Sequence, residues 1–211
     1  MIINPVDSKV IRRSNMNFAK LVIATLSILF VSQSVLAVES ADLPKKKQTK
    51  LELYMTPIEA YEFVSENADN SLFLDVRTRT EVNFLGMPTN ADANIPYMVM
   101  NEWYAWDAKK NTFKMEVNSD FAVDVAKRLT DKGLTKNDPV VLTCRSGSRS
   151  AKAADLLAGL GYTNVYTIVS GFEGDKVKDG PLKGQRAKNG WKNAGLPWTY
   201  KLQMAKMYKV G

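Results

Sequence analysis

Short apolar segments alternate with amphipathic segments of helical length through most of this 211-residue chain, and this order constrains the fold more than any other feature. The apolar runs have the length of buried strands, and the segments between them carry apolar residues at helical spacing. Alternation of this kind predicts an α/β domain with a mostly parallel central sheet and helices on both faces. The predicted strands span 72–76, 93–95, 140–143 and 165–168, and the predicted helices span 57–66, 80–84, 119–132 and 150–160.

The only cysteine, Cys144, stands where the strand at 140–143 passes into the helix at 150–160. Backbone N–H groups converge at a helix N-terminus, the helix dipole adds partial positive charge there, and Arg145 and Arg149 add two full charges. These features favour a thiolate and hold an anion beside the sulfur. Cys144 is therefore predicted to be a nucleophile rather than an inert core cysteine.

The residues from Cys144 to Ser150 resemble the active-site loop of single-domain rhodanese-like sulfurtransferases, in which the cysteine carries sulfur as a persulfide. Further segments resemble that family in the same order along the chain, and the resemblance covers about residues 56–198. These segments are Leu72 to Thr78 with its Asp-Val-Arg signature, the stretch from Glu81 to Pro96, and residues 164–168 with the turn from Ser170 to Gly174.

The resemblance implies a rhodanese-like fold in which Cys144 is catalytic and neither a cofactor nor a metal takes part. Asp75 is predicted to support the site by accepting hydrogen bonds from loop amides or by pairing with an arginine. Two roles stay open for Arg77, which either holds the substrate anion or is a solvated loop charge. The predicted substrate-binding residues are Arg145, Ser146, Gly147, Ser148, Arg149, Ser150 and Arg77.

The spacing of this loop separates a sulfurtransferase from a phosphatase. Dual-specificity phosphatases of the cell-cycle type resemble rhodaneses in fold, but their arginine stands six positions after the cysteine and clamps a phosphate. Here Arg149 stands five positions after Cys144, and the sixth residue is Ser150. The shorter loop favours sulfur transfer, with a phosphatase as the weaker alternative. The chain contains no histidine, which excludes histidine as a base or a metal ligand.

Residues 1–37 have the features of a secretory signal peptide. Basic residues precede an apolar run from 21 to 31, and small residues stand where signal peptidase would cleave, after Ala37. The sequence therefore predicts a periplasmic protein with no stable membrane span after cleavage. Two alternatives stay open, twin-arginine export through Arg12 and Arg13 and an uncleaved membrane anchor.

After cleavage the chain is expected to form one domain. Residues 38–50 are predicted to be a polar, disordered tether, residues 51–200 the rhodanese-like domain, and residues 201–211 a basic C-terminal tail. Residues 97–117 are longer than the family's usual link and are predicted to form a pocket wall, a docking surface or a small packed cluster. Their aromatic residues include Trp103, Tyr104, Trp106 and Phe113.

The C-terminal part of the chain is strongly basic, because residues 175–211 contain nine Lys or Arg and only two Asp or Glu. The positive electrostatic field of such a segment concentrates small anions such as thiosulfate and attracts an acidic partner protein or a membrane surface. Nucleic acid is not an expected partner, because no nucleic-acid-binding module is recognisable.

The predicted reaction moves sulfane sulfur from thiosulfate or a similar anion, through a Cys144 persulfide, to a thiol or cyanide acceptor. The alternative from another class is a sulfur-carrier or non-catalytic module that binds a periplasmic partner.

Overall fold

A computed structural model describes residues 38–209 of the chain. Its helices are α1 (Pro57–Glu66), α2 (Arg79–Leu85), α3 (Phe121–Asp131) and α4 (Ser148–Gly159). Its strands are β1 (Tyr54–Met55), β2 (Leu72–Asp75), β3 (Met87–Pro88), β4 (Ala93–Asn94), β5 (Met98–Met100), β6 (Trp106–Asp107), β7 (Thr112–Phe113), β8 (Met115–Val117), β9 (Val140–Thr143), β10 (Val165–Ile168) and β11 (Trp198–Thr199). Short 3₁₀ turns are formed by Ser40–Asp42, Lys45–Lys47 and Met204–Lys206.

Five strands form a parallel sheet in the order β1, β10, β9, β2, β4. Val140 of β9 lies opposite Leu72 of β2 on one side and Val165 of β10 on the other. Both β2 and β9 are buried along their whole length, as expected for central strands of a parallel sheet. The predicted α/β class is confirmed. Because the strands run the same way, the ends of β2 and β9 that lead to Asp75 and Cys144 share one edge of the sheet.

The side chains of β2 alternate between the two faces of this sheet. Leu72 and Leu74 belong to a cluster with α3 and α4, whereas Phe73 belongs to a cluster with α1, α2 and Trp191. These strand side chains are at most 1% exposed. Burial of each one contributes about 1.5–3 kcal/mol to stability. Helices therefore cover both faces of the sheet, as the sequence predicted.

Two helices begin with a capping box. In α1 the Thr56 hydroxyl accepts a hydrogen bond from the Glu59 N–H at 3.3 Å, and the Glu59 carboxylate accepts one from the Thr56 N–H at 2.7 Å. Thr78 and Glu81 form the same arrangement at α2, at 3.1 Å and 3.0 Å. Each box satisfies two N–H groups that a helix start leaves unpaired. The second box also fixes the position of Glu81, which reaches the cysteine loop.

Residues 38–50 contact the domain, so the prediction of a disordered tether is wrong. The Lys47 side chain is buried, and its ammonium group lies 2.8 Å from the carboxylate of Asp175. The Lys50 N–H donates to Asp155 of α4 at 2.7 Å. These polar residues bind carboxylates of the folded chain, which is why a pattern read from apolar residues alone did not reveal their order.

Residues 175–209 contain little regular structure, and aromatic residues hold them against the sheet. Trp191 is fully buried, and its indole N–H donates to the Pro197 carbonyl at 2.9 Å. Trp198 lies in β11, which pairs with β3. Residues 201–209, the described part of the predicted basic tail, also contact the domain, where their carbonyl groups accept hydrogen bonds from arginines of α2 and α3.

Residues 97–117 form two short antiparallel pairs, β5 with β8 and β6 with β7. The rings of Tyr104 and Trp106 lie edge-on to the ring of Phe113, with centroids 5.9 Å and 5.3 Å away. The same segment leaves much aromatic surface in solvent, because Trp103, Tyr104 and Trp106 are all exposed. It therefore has both a small cluster of its own and a free aromatic surface.

The predicted signal peptide, residues 1–37, lies outside the described residues, as do residues 210–211. Among residues 38–209, no helix has the length and hydropathy needed to cross a membrane. Within the same part of the chain, no three His, Cys, Asp or Glu side chains are grouped so as to hold a metal ion.

Candidate active site

Cys144 follows the last residue of β9 and lies in a short loop before α4. Its sulfur accepts a hydrogen bond from the Gly147 N–H at 3.1 Å, and the Ser150 hydroxyl lies 3.5 Å from it. The loop encloses this sulfur, since Cys144 is only 1% exposed. The N-terminus of α4 and these donors make a position that favours negative charge.

The backbone at Gly147 gives the loop its shape. Gly147 has φ +98° and immediately precedes Ser148, the first residue of α4. A Cβ atom at this position would lie 2.3 Å from the carbonyl oxygen of Val169. Only glycine adopts this conformation without strain and leaves room for the neighbouring strand end. The N–H that reaches the Cys144 sulfur therefore depends on a glycine that has no chemistry of its own.

The turn after β10 supports the loop from behind. The Phe172 N–H donates to the Cys144 carbonyl at 2.7 Å, and the N–H groups of Glu173 and Gly174 donate to the Arg145 carbonyl at 3.0 Å and 3.2 Å. Gly171 makes this approach possible, because a Cβ atom there would lie 2.4 Å from the Cys144 carbonyl oxygen. These bonds fix the loop backbone on the side away from the helix.

Asp75 and Arg77 form a buried ion pair beneath the site. The Arg77 guanidinium donates to the Asp75 carboxylate at 2.9 Å and 2.5 Å and to the Gly86 carbonyl at 2.6 Å, and it lies 4.0 Å from the centre of the Phe172 ring. Asp75 thus pairs with an arginine and also accepts a hydrogen bond from the Arg77 backbone N–H at 3.1 Å, so it has both of its expected roles. Both side chains are fully buried, as charged groups in a core are only when paired.

The burial of Arg77 differs from what the sequence predicted. It was expected either to hold the substrate anion or to be a solvated loop charge, but its guanidinium group is fully buried and donates to Asp75 and to the Gly86 carbonyl. Residue type and position near a strand end could not reveal this burial. Arg77 instead links the end of β2 to Phe172, and Phe172 in turn binds the Cys144 carbonyl. It is a positioning residue for the loop.

Arg149 is bound to Glu81 rather than free to meet an anion. The two terminal nitrogens of its guanidinium donate to the two carboxylate oxygens of Glu81, each at 2.6 Å. The sequence did not reveal this partner. The capping-box pattern of Thr78 and Glu81 was the available signal, because it fixes Glu81 at the start of α2. The positive charge of Arg149 is therefore largely neutralised.

This pair shifts the pKa of both partners. Burial alone would raise the pKa of Glu81, but the hydrogen bonds and the charge of Arg149 outweigh burial and lower the pKa to about 2. Burial alone would lower the pKa of Arg149, and the same pairing raises it overall. Glu81 is therefore ionised at every physiological pH, and Arg149 remains tied to it.

Arg145 differs from Arg149 in being exposed. It forms no ion pair with any residue in the described part of the chain. Ser146 and Ser148 are partly exposed, while Gly147 and Ser150 are buried beneath them. Of the predicted substrate-binding residues, Arg145 is the one whose charge is available to a ligand.

A groove of about 530 Å³ opens beside Arg145. We call it the apolar groove, because α2 and the segment at 97–117 form its walls largely with apolar side chains. Glu81, Arg145 and Arg149 lie at its end nearest the cysteine loop. The predicted pocket wall is thus present in the segment at 97–117. The wall side chains include Phe84, Leu85, Met100, Phe113 and Met115.

Comparison with known proteins identifies the family of this chain. A family model described as the rhodanese-like domain matches residues 57–177. The chain belongs to the rhodanese-like domain family. The match includes the whole cysteine loop and the turn at 170–174, whereas most of the basic C-terminal part of this rhodanese-like protein lies beyond it. The resemblance inferred from sequence is confirmed.

Individual relatives differ in how much of the chain they match. An uncharacterised protein of Rickettsia rickettsii is 31% identical over 141 residues, which are 67% of this chain and 92% of that protein. A thiosulfate sulfurtransferase of Actinobacillus succinogenes is 37% identical over 59 residues, which are 28% of this chain and 39% of that protein. A solved structure from M. tuberculosis covers 70% of this rhodanese-like chain and 97% of its own, with 27% identity and a TM-score of 0.49.

Proposed function

We propose that this protein is a sulfurtransferase that carries sulfane sulfur on Cys144 as a persulfide. The observation that best supports this proposal is the 3.1 Å hydrogen bond from the Gly147 N–H to the Cys144 sulfur at the N-terminus of α4. A sulfur stabilised in this way needs no histidine to act as a nucleophile. The segment shared with the thiosulfate sulfurtransferase of A. succinogenes supports thiosulfate as a donor.

The chemistry consists of two displacements at sulfur. The Cys144 thiolate attacks the outer sulfur of thiosulfate, a new S–S bond forms, the S–S bond of thiosulfate breaks, and sulfite leaves with the electron pair. An acceptor thiolate or cyanide then attacks the terminal sulfur of the persulfide, and Cys144 leaves as a thiolate. Sulfur changes partner without an external oxidant or reductant, so the steps require no redox cofactor.

Arg145 is the residue that orients the donor in this proposal. Its charge is free, whereas that of Arg149 is committed to Glu81. An anionic donor with an apolar group fits the apolar groove with its sulfur at the end near Arg145. The loop N–H groups and the Ser150 hydroxyl stabilise the negative charge of the persulfide.

Two other functions make different predictions. A phosphatase needs the arginine of the loop to clamp a phosphate, and the bidentate pairing of Arg149 with Glu81 opposes that role. A sulfur carrier that serves only a protein partner is favoured by one observation, the exposed aromatic side chains of the segment at 97–117, which offer a docking surface. Such a carrier would form the persulfide but would transfer sulfur slowly to small acceptors.

The deciding experiment is the intact mass of the purified protein after thiosulfate treatment, beside a Cys144→Ser variant. A gain of one sulfur atom that is lost on adding cyanide, and is absent from the variant, is the expected result. Slow loss to cyanide but rapid loss to a protein thiol would identify the carrier. Hydrolysis of an aryl phosphate without a sulfur adduct would replace the proposal with a phosphatase.

We also propose that the protein is periplasmic and that residues 1–37 are removed on export. The support is the order of basic, apolar and small residues in that segment. The test is the mass of the protein recovered from the periplasm of a Gram-negative host that expresses the full chain. A chain that begins at Val38 is expected, and a periplasmic fraction without the protein would overturn the proposal.

A further inference from the structure

A second groove, of about 830 Å³, lies beside the cysteine loop and is lined by Ser146. Its walls are the N-terminal segment around the turn Lys45–Lys47 and the chain that follows β10. We call it the basic groove after its cationic lining, which includes Lys46, Lys176, Lys178, Lys183, Arg186 and Lys188.

The positive charge of the basic groove is not neutralised within the described residues. Its carboxylates are Asp42 and Asp175, and Asp175 is already paired with Lys47 at 2.8 Å. The other lysines of the groove form no ion pair with any residue from 38 to 209. Arg186 donates to the backbone carbonyl of Gly174 at 2.5 Å. These side chains remain available to an external anion.

The charges of the basic groove also interact with those of the cysteine loop. Burial and the neighbouring positive charge of Arg145 together lower the pKa of Arg186. Arg186 binds the carbonyl of Gly174, and the Gly174 N–H binds the carbonyl of Arg145. A negatively charged ligand in the basic groove would therefore relieve repulsion between cations that already flank the reactive cysteine.

A buried polar group in the wall indicates a ligand independently of the charge. Ser170 is 3% exposed, and its hydroxyl has no hydrogen-bond partner among the described residues. Buried hydroxyl groups are normally paired, because an unpaired one loses its bonds to water without replacement. Ser170 lines the basic groove, where a carboxylate oxygen of a ligand would accept a hydrogen bond from this hydroxyl.

We propose that the basic groove binds an extended acidic segment of the protein that exchanges sulfur with Cys144. The cations extend from the N-terminal segment to Lys188, so a ligand must carry several negative charges along its length to meet them. Because Ser146 lines the groove, a segment bound there brings a nearby thiol to the loop. This inference rests on the proposed sulfurtransferase function, and it makes Lys183, Arg186 and Lys188, which lie beyond the family match, partner-recognition residues.

The test compares two peptide acceptors that each carry one terminal cysteine, one rich in glutamate and the other with glutamine at the same positions. The protein, expressed from the full chain, is loaded with sulfur from thiosulfate, and kcat/KM is measured for each peptide. We expect the acidic peptide to be about tenfold the better acceptor, with the advantage decreasing at higher salt. The peptide thiolate attacks the terminal persulfide sulfur, and Cys144 leaves as a thiolate.

A charge-reversal variant with a matched control locates the effect. The triple variant K178E/K183E/K188E changes the basic groove, and the triple variant K109E/K152E/K201E makes the same change of charge at exposed lysines elsewhere. The groove variant should lose the preference for the acidic peptide and keep its rate with the glutamine peptide. The control variant should keep most of the preference.

A binding measurement separates this proposal from the proposed function. The cysteine-free acidic peptide carries a fluorophore, and its anisotropy is followed with the unloaded protein, so the result does not depend on sulfur transfer. Binding that only the groove variant loses supports the docking site even if no persulfide forms. A normal persulfide with equal use of both peptides, or equal loss of binding in both triple variants, overturns the docking site and leaves the sulfurtransferase proposal intact.

Discussion

Gly147 places a backbone N–H beside the Cys144 sulfur and adopts a left-handed backbone conformation to do so. No side chain at this position takes part in chemistry, yet a Cβ atom would meet the Val169 carbonyl at 2.3 Å. The geometry of the cysteine loop thus depends on a residue whose importance is purely steric. The same is true of Gly171, which allows the turn after β10 to reach the Cys144 carbonyl.

Gly147→Ala should abolish persulfide formation while the protein still folds. The substitution adds a steric clash to the strain of φ +98°, and we expect a loss of more than about 2 kcal/mol in the free energy of unfolding. Intact mass after thiosulfate treatment and urea denaturation are the two measurements. Gly133→Ala is the matched control, because Gly133 also has positive φ (+72°) but nothing within 4 Å of an added Cβ. Persulfide formation unaffected by Gly147→Ala would contradict the role of this N–H.

Glu81→Gln tests the ion pair with Arg149. The glutamine keeps the capping box of α2 but removes the charge. The carboxylate of Glu81 has a usual pKa of 4.5 and a pKa of about 2 when folded. The lowered pKa corresponds to about 3 kcal/mol of stability. This stability is fully present above the pKa of the unfolded chain and is lost as the pH falls toward the pKa of the folded chain.

The measurement for Glu81→Gln is the free energy of unfolding between pH 7 and pH 2. The variant should be less stable than the parent at pH 7, and the difference should vanish toward pH 2. Glu62→Gln on the exposed face of α1 serves as the control, and a change of less than about 0.5 kcal/mol is expected there. A stability difference that does not change with pH would show that the pair is not responsible.

The sequence predicted the position of some site residues correctly and the contacts of others incorrectly, and the difference has a physical reason. The sequence located Cys144 correctly within its loop, because a strand, a glycine and a helix follow one another there in order. It misjudged Arg77, and it missed the partner of Arg149, because both depend on which side chains meet across the sheet edge. Local pattern does not contain that information.

At the scale of elements, the spacing of apolar residues was sufficient to predict the strands and helices that have a buried face. Each predicted strand and helix is present, with bounds that differ by no more than two residues. The pattern failed for residues 38–50, where Lys47 and the backbone of Lys50 bind acidic partners far along the chain. Polar interactions of this kind order a segment without leaving a period in its sequence.

The segment at 97–117 should control which donors the protein accepts. Phe113 lines the apolar groove, so Phe113→Ala should raise KM for benzenethiosulfonate about fivefold and leave KM for thiosulfate nearly unchanged. Trp103→Ala removes an aromatic residue of the same segment that is 86% exposed and does not line the groove, and it is the control. Steady-state kinetics with both donors checks this, and equal effects of the two variants would remove the groove from substrate selection.

At the scale of the whole molecule, the buried sheet centre and the exposed segment at 97–117 should differ in local stability. Backbone amides of β2 and β9 should exchange with solvent at least about 100-fold more slowly than those of β5 and β8, because opening the former requires global unfolding. Hydrogen exchange followed by mass spectrometry measures both. Equal protection would mean that the segment is as firmly held as the core.

The α/β class followed from the order of elements, but the position of the basic residues did not. The sequence showed that residues 175–211 are basic, but it did not show which other residues they face. In the folded chain, part of this segment lies opposite residues 42–47 and forms one wall of the basic groove. The basic residues form a groove only because folding brings distant parts of the chain together.

The loop that contains Cys144 depends on residues that are synthesised after it. Phe172 binds the carbonyl of Cys144, and the backbone of Trp191 then binds the carbonyl of Gly171. A growing chain that has reached only α4 therefore carries the thiol without the turn that shapes its loop. The hydrogen bonds that shape the loop around Cys144 can therefore all form only in a chain that already includes Trp191.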